Sequence, residues 1–278
     1  MNEKMRKYTH IFTENAALWT EVIGGGEPVI FLHANVCDSR MWHSQMEVLG
    51  RYCKSIAYDR RGFGKTRAKT TDFSSISDLM AVIEAYSEDR PTILIGCSQG
   101  AKIALDAALL HPSKIKAVAL ISPSVSGAPE PNYPIDIKEL LLRQTQAITA
   151  QKNNEINAIK ARLWLDGPLA CEGCIKGQVR QLFFDMYDTA LKSSPIGSDR
   201  DQVRAYQHLH EIEMPILVLW GSLDFPHIQE RSQYISKIVF KGRGKELNNV
   251  AHLPNLEIPD EITEIIIEFV NSVQSIDD

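Results

Sequence analysis

Short apolar runs and amphipathic stretches alternate along most of this chain. Val29–Leu32, Ser55–Tyr58, Thr92–Ile95, Ala117–Ile121 and Pro215–Trp220 are brief, uncharged segments, the pattern of strands buried on both faces. Between them, Ser39–Tyr52, Ile76–Tyr86, Ala101–Leu110, Ile228–Ile238 and Asp260–Val273 place apolar residues near helical spacing. Two further β-type segments, Tyr8–Thr13 and Leu18–Ile23, precede them, joined by a polar turn at Glu14-Asn15 and closed by Gly24-Gly25-Gly26. A short strand is expected near Lys245–Leu247. Alternation of this kind predicts an α/β protein with a mostly parallel central sheet flanked by helices on both faces.

The alternation lapses after Ser122. Residues Ser124–Pro134 are rich in Pro, Ser and Gly, and three helical stretches follow, Asp136–Asn153, Glu155–Leu165 and Gln178–Leu191, with no convincing strand. A helical excursion between two halves of one sheet reads as a cap, spanning residues 126–206 and inserted after the sixth strand. The core is then 1–125 together with 207–278.

Composition narrows the classes. At 278 residues, 44% hydrophobic and 23% charged, the chain has the make-up of an ordinary globular protein that can bury a substantial core. A net charge of −5 argues against nucleic-acid or anionic-membrane partners. The N-terminal MNEKMRKYTHIF lacks an apolar core for a secretory leader, and no run approaches a membrane span. Five scattered cysteines suit a reducing cytoplasm better than a disulfide framework. Cys171-Glu172-Gly173-Cys174 has C-x-x-C spacing but no second ligand pair for zinc and no thioredoxin-like surroundings, so no metal is expected there. His208 and His210, two histidines without a third ligand, read as surface residues.

Gly96-Cys97-Ser98-Gln99-Gly100 lies between the strand ending at Ile95 and the helix beginning near Ala101, the context of a nucleophile elbow. Such a turn strains the serine backbone and lifts its Oγ above the sheet edge, beside a helix N-terminus that favours negative charge. A serine hydroxyl needs a base to take its proton, and the base needs an acid to orient it. His252 falls in a loop before the last helix, and Asp224 immediately follows the strong strand Ile216–Trp220. Both lie at carboxyl ends of strands, where open α/β sheets build their sites. Ser98, Asp224 and His252 are therefore the candidate catalytic residues, in the chain order of the elbow hydrolases.

Five blocks carry a family resemblance: Phe31-Leu32-His33-Ala34-Asn35, Tyr58 to Thr66 (YDRRGFGKT), the elbow, Gly221–Asp224, and His252-Leu253-Pro254-Asn255-Leu256-Glu257. In them the chain resembles the α/β-hydrolase fold superfamily, in its capped, serine-nucleophile branch of carboxylesterases, lactonases and C–C bond hydrolases. The resemblance implies an oxyanion hole built from the backbone N–H groups of Asn35 and Gln99, a small-molecule acyl substrate and no cofactor. It also implies that His33 and the Asp59–Gly64 block are structural, with Arg60 and Arg61 binding an acidic substrate as the alternative. One departure stands out: Ala34 occupies a position where the family carries glycine. The expectation is a cytoplasmic serine hydrolase of an ester or related acyl bond. A ring-cleavage diketone hydrolase and a slow-turnover ligand sensor remain as alternatives, and a homodimer is left open.

Overall fold

A computed structural model describes residues 6–274; residues 1–5, which belong to the N-terminal segment read above for a leader, and 275–278 lie outside the described residues. The chain opens with a hairpin of β1 (Lys7–Thr13) and β2 (Ala16–Gly24), then runs through β3 (Pro28–Leu32), β4 (Lys54–Tyr58), the two-residue β5 (Arg67–Ala68), β6 (Thr92–Cys97) and β7 (Ile115–Ile121). After a long helical segment it returns as β8 (Ile216–Gly221) and β9 (Gly242–Leu247). The sheet order is β1-β2-β4-β3-β6-β7-β8-β9, with β5 paired to β2. All pairings from β4 to β9 are parallel, and only those involving β2 are antiparallel. The order reverses at β3, which lies between β4 and β6, so the loops after β3 and β6 open side by side at the carboxyl edge.

Alternate residues of the same strands build two cores, as a period of two requires. Val29, Phe31, Ile93, Ile95, Ala117 and Ala119 pack on one face against α1 (His43–Leu49) and α10 (Pro259–Gln274). Ile30, Leu32, Leu94, Val118 and Leu120 pack on the other against α2 (Ser75–Ser87), α3 (Gln99–Leu110) and α8 (Pro226–Ile238). Buried strands covered on both sides explain the uninterrupted apolar runs of the sequence.

Between β7 and β8 the chain forms α4 (Ile135–Thr149), α5 (Asn153–Lys160), a π-helical turn at Ala161–Asp166, α6 (Gly177–Leu191) and α7 (Ala205–His208). The expected helix Glu155–Leu165 is thus two pieces, the second widened into the π-turn. The helical segment follows the seventh strand in chain order, not the sixth, because Arg67–Ala68 makes a short edge strand with no apolar alternation to reveal it. The expected helix Ser39–Tyr52 is a 3₁₀ turn at Ser39–Trp42 followed by α1, which ends at Gly50. Strand β9 starts at Gly242, earlier than expected, and its burial is confined to Leu247. A short helix α9 (Pro254–Glu257), absent from the sequence reading, precedes α10.

Phe31 is fully buried, its ring 5.3 Å from that of Trp42. Phe31→Ala is expected to cost about 3–5 kcal/mol of stability, measured by urea unfolding.

Candidate active site

Strand β6 carries Ser98 to the edge of the sheet, and α3 begins at the next residue. The serine backbone sits at φ 54° and ψ −114°, a conformation that costs about 1–3 kcal/mol and persists only where neighbours enforce it. Those neighbours are close. The Ser98 N–H donates to the Ile121 carbonyl at 2.9 Å, while the Ser98 carbonyl accepts from the Lys102 and Ser124 N–H groups at 3.0 and 3.3 Å. The flanking glycines have no room for a side chain: a Cβ at Gly96 would stand 2.6 Å from the Ala101 nitrogen, and one at Gly100 2.2 Å from the Leu32 carbonyl oxygen. The same approach brings the start of α3 against the end of β3, where Asn35 follows.

Asp224 and His252 meet across two crossed loops. The Leu223 N–H donates to the Val250 carbonyl at 2.9 Å, and the Asn249 N–H donates to Ser222 Oγ at 2.9 Å. His252 Nδ1 lies 2.7 Å from Asp224 Oδ2, and the Phe225 N–H donates to Asp224 Oδ1 at 2.7 Å. Both side chains are essentially excluded from solvent. The Nε2 of His252 is buried and has no hydrogen-bond partner among the described residues. The turn bearing Ser98 is linked to the His252 loop through the preceding residue, whose Sγ (Cys97) lies 3.8 Å from the His252 carbonyl oxygen, and no hydrogen bond joins Ser98 to His252 Nε2. Burial pushes that thiol well above its ordinary pKa, which leaves Cys97 as core packing.

Three further residues shape the site: Ser222 and Glu257 lie in blocks that carried the resemblance but had no role assigned, and Trp164 was not singled out from sequence. Trp164, on the π-turn, stacks obliquely over His252 with ring centroids 4.6 Å apart. It also touches Phe225 at 4.9 Å. No sequence signal marked it, because apolar spacing alone does not separate a π-turn from α-helix. Glu257 accepts hydrogen bonds from the Ala251 N–H at 2.9 Å and the Leu253 N–H at 3.2 Å, gripping the chain on either side of His252. Ser222 Oγ ties the two loops together.

The β3 loop resolves two expectations. His33 Nδ1 lies 2.8 Å from the Ala34 carbonyl oxygen, and its Nε2 accepts the Arg60 N–H at 3.0 Å. That pattern describes a neutral imidazole wedged between two backbone groups, and burial beside Arg60 holds its pKa well down. Ala34 is not among the non-glycine residues with positive φ, so the alanine adopts its backbone without strain. Asn35 and Gln99 line one small cavity together. Because Gln99 is the first residue of α3, its N–H has no partner within the helix. Asp59 pins the following loop by accepting the Ser39 N–H at 2.8 Å and the Lys65 N–H at 2.7 Å.

The remaining histidines and cysteines of interest lie apart from the Asp224–His252 pair. His227 is in the first turn of α8, its pKa pulled down to about 4 by burial and by the neighbouring Arg231. It borders a groove of about 460 Å³, which Ser98 and His252 do not line. His208 and Glu211 form an exposed pair. Cys171 and Cys174 are exposed and free. Among the described residues no cluster of His, Cys, Asp or Glu is arranged to hold a metal, and no helix is long and apolar enough to cross a membrane.

A parallel sheet whose strand ends carry a strained serine turn and a buried Asp–His pair defines the class of elbow-bearing α/β proteins. The chain belongs to the α/β-hydrolase fold family, whose model matches residues 27–259. Among its relatives, the pimeloyl-[acyl-carrier protein] methyl ester esterase of Wigglesworthia glossinidia brevipalpis is 24% identical, over 91% of this chain and 96% of that protein. The proline iminopeptidase of Heyndrickxia coagulans is 26% identical, over 90% of this chain and 92% of that protein. An esterase from Rhodococcus sp. ECU1013 shares the fold with a TM-score of 0.75 at 19% identity, covering 96% of this chain and 99% of that one.

Glu257 has a measurable signature. Burial, aided by the nearby charges of Asp224 and Asp166, pushes its carboxyl up to about 7, against the pull of the two N–H donors. A folded-state pKa above the unfolded value stabilises the protein at low pH, and that contribution is lost as the pH rises through about 7. Glu257→Gln is expected to match wild type at pH 4, below the unfolded carboxyl pKa, and to gain on it by up to about 3 kcal/mol at pH 8. Urea midpoints at the two pH values check this; a constant difference would contradict it.

Proposed function

We propose that this protein is a serine hydrolase that cleaves an ester bond of a small molecule through an acyl-enzyme. The observation that carries the reading is the fully buried 2.7 Å contact between Asp224 and His252, beside the strained turn of Ser98. Ser98 Oγ attacks the ester carbonyl while His252 Nε2 takes its proton. Asp224 holds the Nδ1–H tautomer and stabilises the imidazolium. The tetrahedral oxyanion is received by the backbone N–H groups of Gln99 and Asn35. His252 then returns the proton to the leaving alcohol, and a water activated by the same imidazole hydrolyses the acyl-enzyme.

Several features support this reading. An unpartnered, buried Nε2 is free to accept the serine proton, and such bonds are often long before substrate arrives. Ala34 does not take a positive φ, which supports an oxyanion loop able to serve turnover despite the alanine. Esterases recur among the relatives, which favours oxygen esters over peptides as substrates. Residues 126–206 act as a cap in this account, with Trp164 as their contact on the catalytic imidazole. Free, exposed Cys171 and Cys174 are consistent with a cytoplasmic location.

Hydrolysis of short p-nitrophenyl esters tests the assignment. Ser98→Ala and His252→Ala are each expected to lower kcat/KM by about 10³-fold or more, with circular dichroism unchanged. Wild-type rates in Ser98→Ala would exclude Ser98 as the nucleophile.

A further inference from the structure

Beside the expected oxyanion amides lies a cavity of about 220 Å³. Its lining includes Asn35 and Gln99, Tyr58, Arg60 and Arg61, and the carboxylates of Asp78 and Asp199; Ser98 and His252 do not line it, so Asn35 and Gln99 are its link to the reacting centre. Arg60 Nε and Nη2, Arg61 Nη1 and the Tyr58 hydroxyl are all buried there, and none has a hydrogen-bond partner among the described residues. The three guanidinium nitrogens can only donate, and the phenol is a donor as well. A wall of unanswered donors is complementary to an acceptor-rich, negatively charged group.

Arg60 is the unusual member. The residue is only 9% exposed, yet it forms no ion pair with any described carboxylate. The neighbouring acids are engaged elsewhere. Asp78 binds Arg61 through two contacts of 2.7 and 2.9 Å, and Asp199 accepts from Ser75 Oγ at 2.7 Å and from the N–H groups of Ser75 and Asp201. Burial pulls the Arg60 guanidinium down only to about 10, so it stays charged at neutral pH. A buried cation without a partner is costly and needs a reason beyond packing. Its plane is fixed by Phe63, whose ring centre lies 4.9 Å from Cζ, and its backbone N–H is held by His33. The cation is therefore pre-set on the loop that packs against the oxyanion segment.

We infer that this cavity is an anion subsite in which Arg60, helped by Tyr58 and Arg61, receives a carboxylate carried by the ester substrate. The inference rests on the hydrolase reading and narrows its substrate class to small esters bearing a free carboxylate. A carboxylate matches the fork of a guanidinium with two oxygens, so the contact would orient the ester as well as hold it. Arg60 thus acts on specificity, away from the bond being broken.

The test compares monomethyl succinate, glutarate and adipate with methyl butyrate, valerate and hexanoate, the uncharged esters of the same acyl lengths, by pH-stat. At least one half-ester is expected to exceed its uncharged match by about tenfold or more in kcat/KM, chiefly through KM. Arg60→Gln should collapse that ratio towards one, and Arg60→Lys should keep part of it. Calorimetric titration of Ser98→Ala with the free dicarboxylates gives a readout independent of turnover. Binding there, lost in the Ser98→Ala, Arg60→Gln double variant, supports the subsite even if no ester is hydrolysed, an outcome that would count against the hydrolase reading alone. Half-esters no better than uncharged esters, or a ratio unchanged in Arg60→Gln, overturn the subsite and leave the hydrolase reading standing. Dicarboxylates that bind no more tightly than inorganic phosphate, with no charged-ester preference, also overturn it. Melting temperature guards against misfolding: removing an unpartnered buried charge should not lower it, and Arg60→Met repeats the test if Arg60→Gln does not fold.

Discussion

Ser98 is held at φ 54° and ψ −114°, and the surrounding structure is organised around sustaining that one turn. Helix α3 must start directly above the end of β6, which forces its first turn onto the carbonyl of Leu32 in the adjacent strand. Only glycine at position 100 tolerates the approach, and only glycine at 96 tolerates the return of the chain over itself. The parallel neighbours supply the anchoring: β3 pairs Leu32 with Gly96, and β7 pairs Ile121 with Cys97. Strain at the serine is thus offset by the most buried part of the sheet, where local rearrangement would cost both cores at once.

From that turn the site spreads through backbone contacts, with few side-chain charges involved. The loops bearing Asp224 and His252 lock onto each other, and Gly221 is pressed against the Val250 and Ala251 carbonyls, with a Cβ there only 2.1 Å from the first. Glu257 closes the arrangement by holding the N–H groups on both sides of His252. His33 does the same for the oxyanion loop, as a neutral linker between Ala34 and Arg60. Where charges are buried they are mostly answered, as Arg61 is by Asp78. Arg60 is the exception, and it faces the cavity next to Gln99.

Much of this was legible in the sequence because its causes are local. The apolar runs marked strands buried on both faces, and G-x-S-x-G between strand and helix marked the turn whose glycines the packing demands. The contact between Asp224 and His252 could be anticipated because both fall at strand ends, where such sheets build sites. Elements fixed by tertiary pairing were not legible. Only the end of strand β9 near Lys245–Leu247 was legible; its first residues, Gly242–Gly244, carry no apolar signal, so pairing with β8, not burial, extends the strand to them. Arg67–Ala68 pairs with β2 in the same way. The π-turn at Trp164 keeps helical spacing and differs only in its hydrogen bonding, so its contact with His252 needed coordinates. The lack of partners around Arg60 is likewise a property of the assembled loops. Its sequence block announced only two adjacent arginines.

The central claim is that Ser98 is an activated nucleophile. Intact-mass analysis after exposure to a fluorophosphonate probe addresses it directly, since phosphonylation needs a serine whose proton a neighbouring base removes. The account predicts a single adduct on the wild-type protein and none on Ser98→Ala. An adduct of equal extent on Ser98→Ala, or no adduct on folded wild-type protein that does hydrolyse esters, would contradict it.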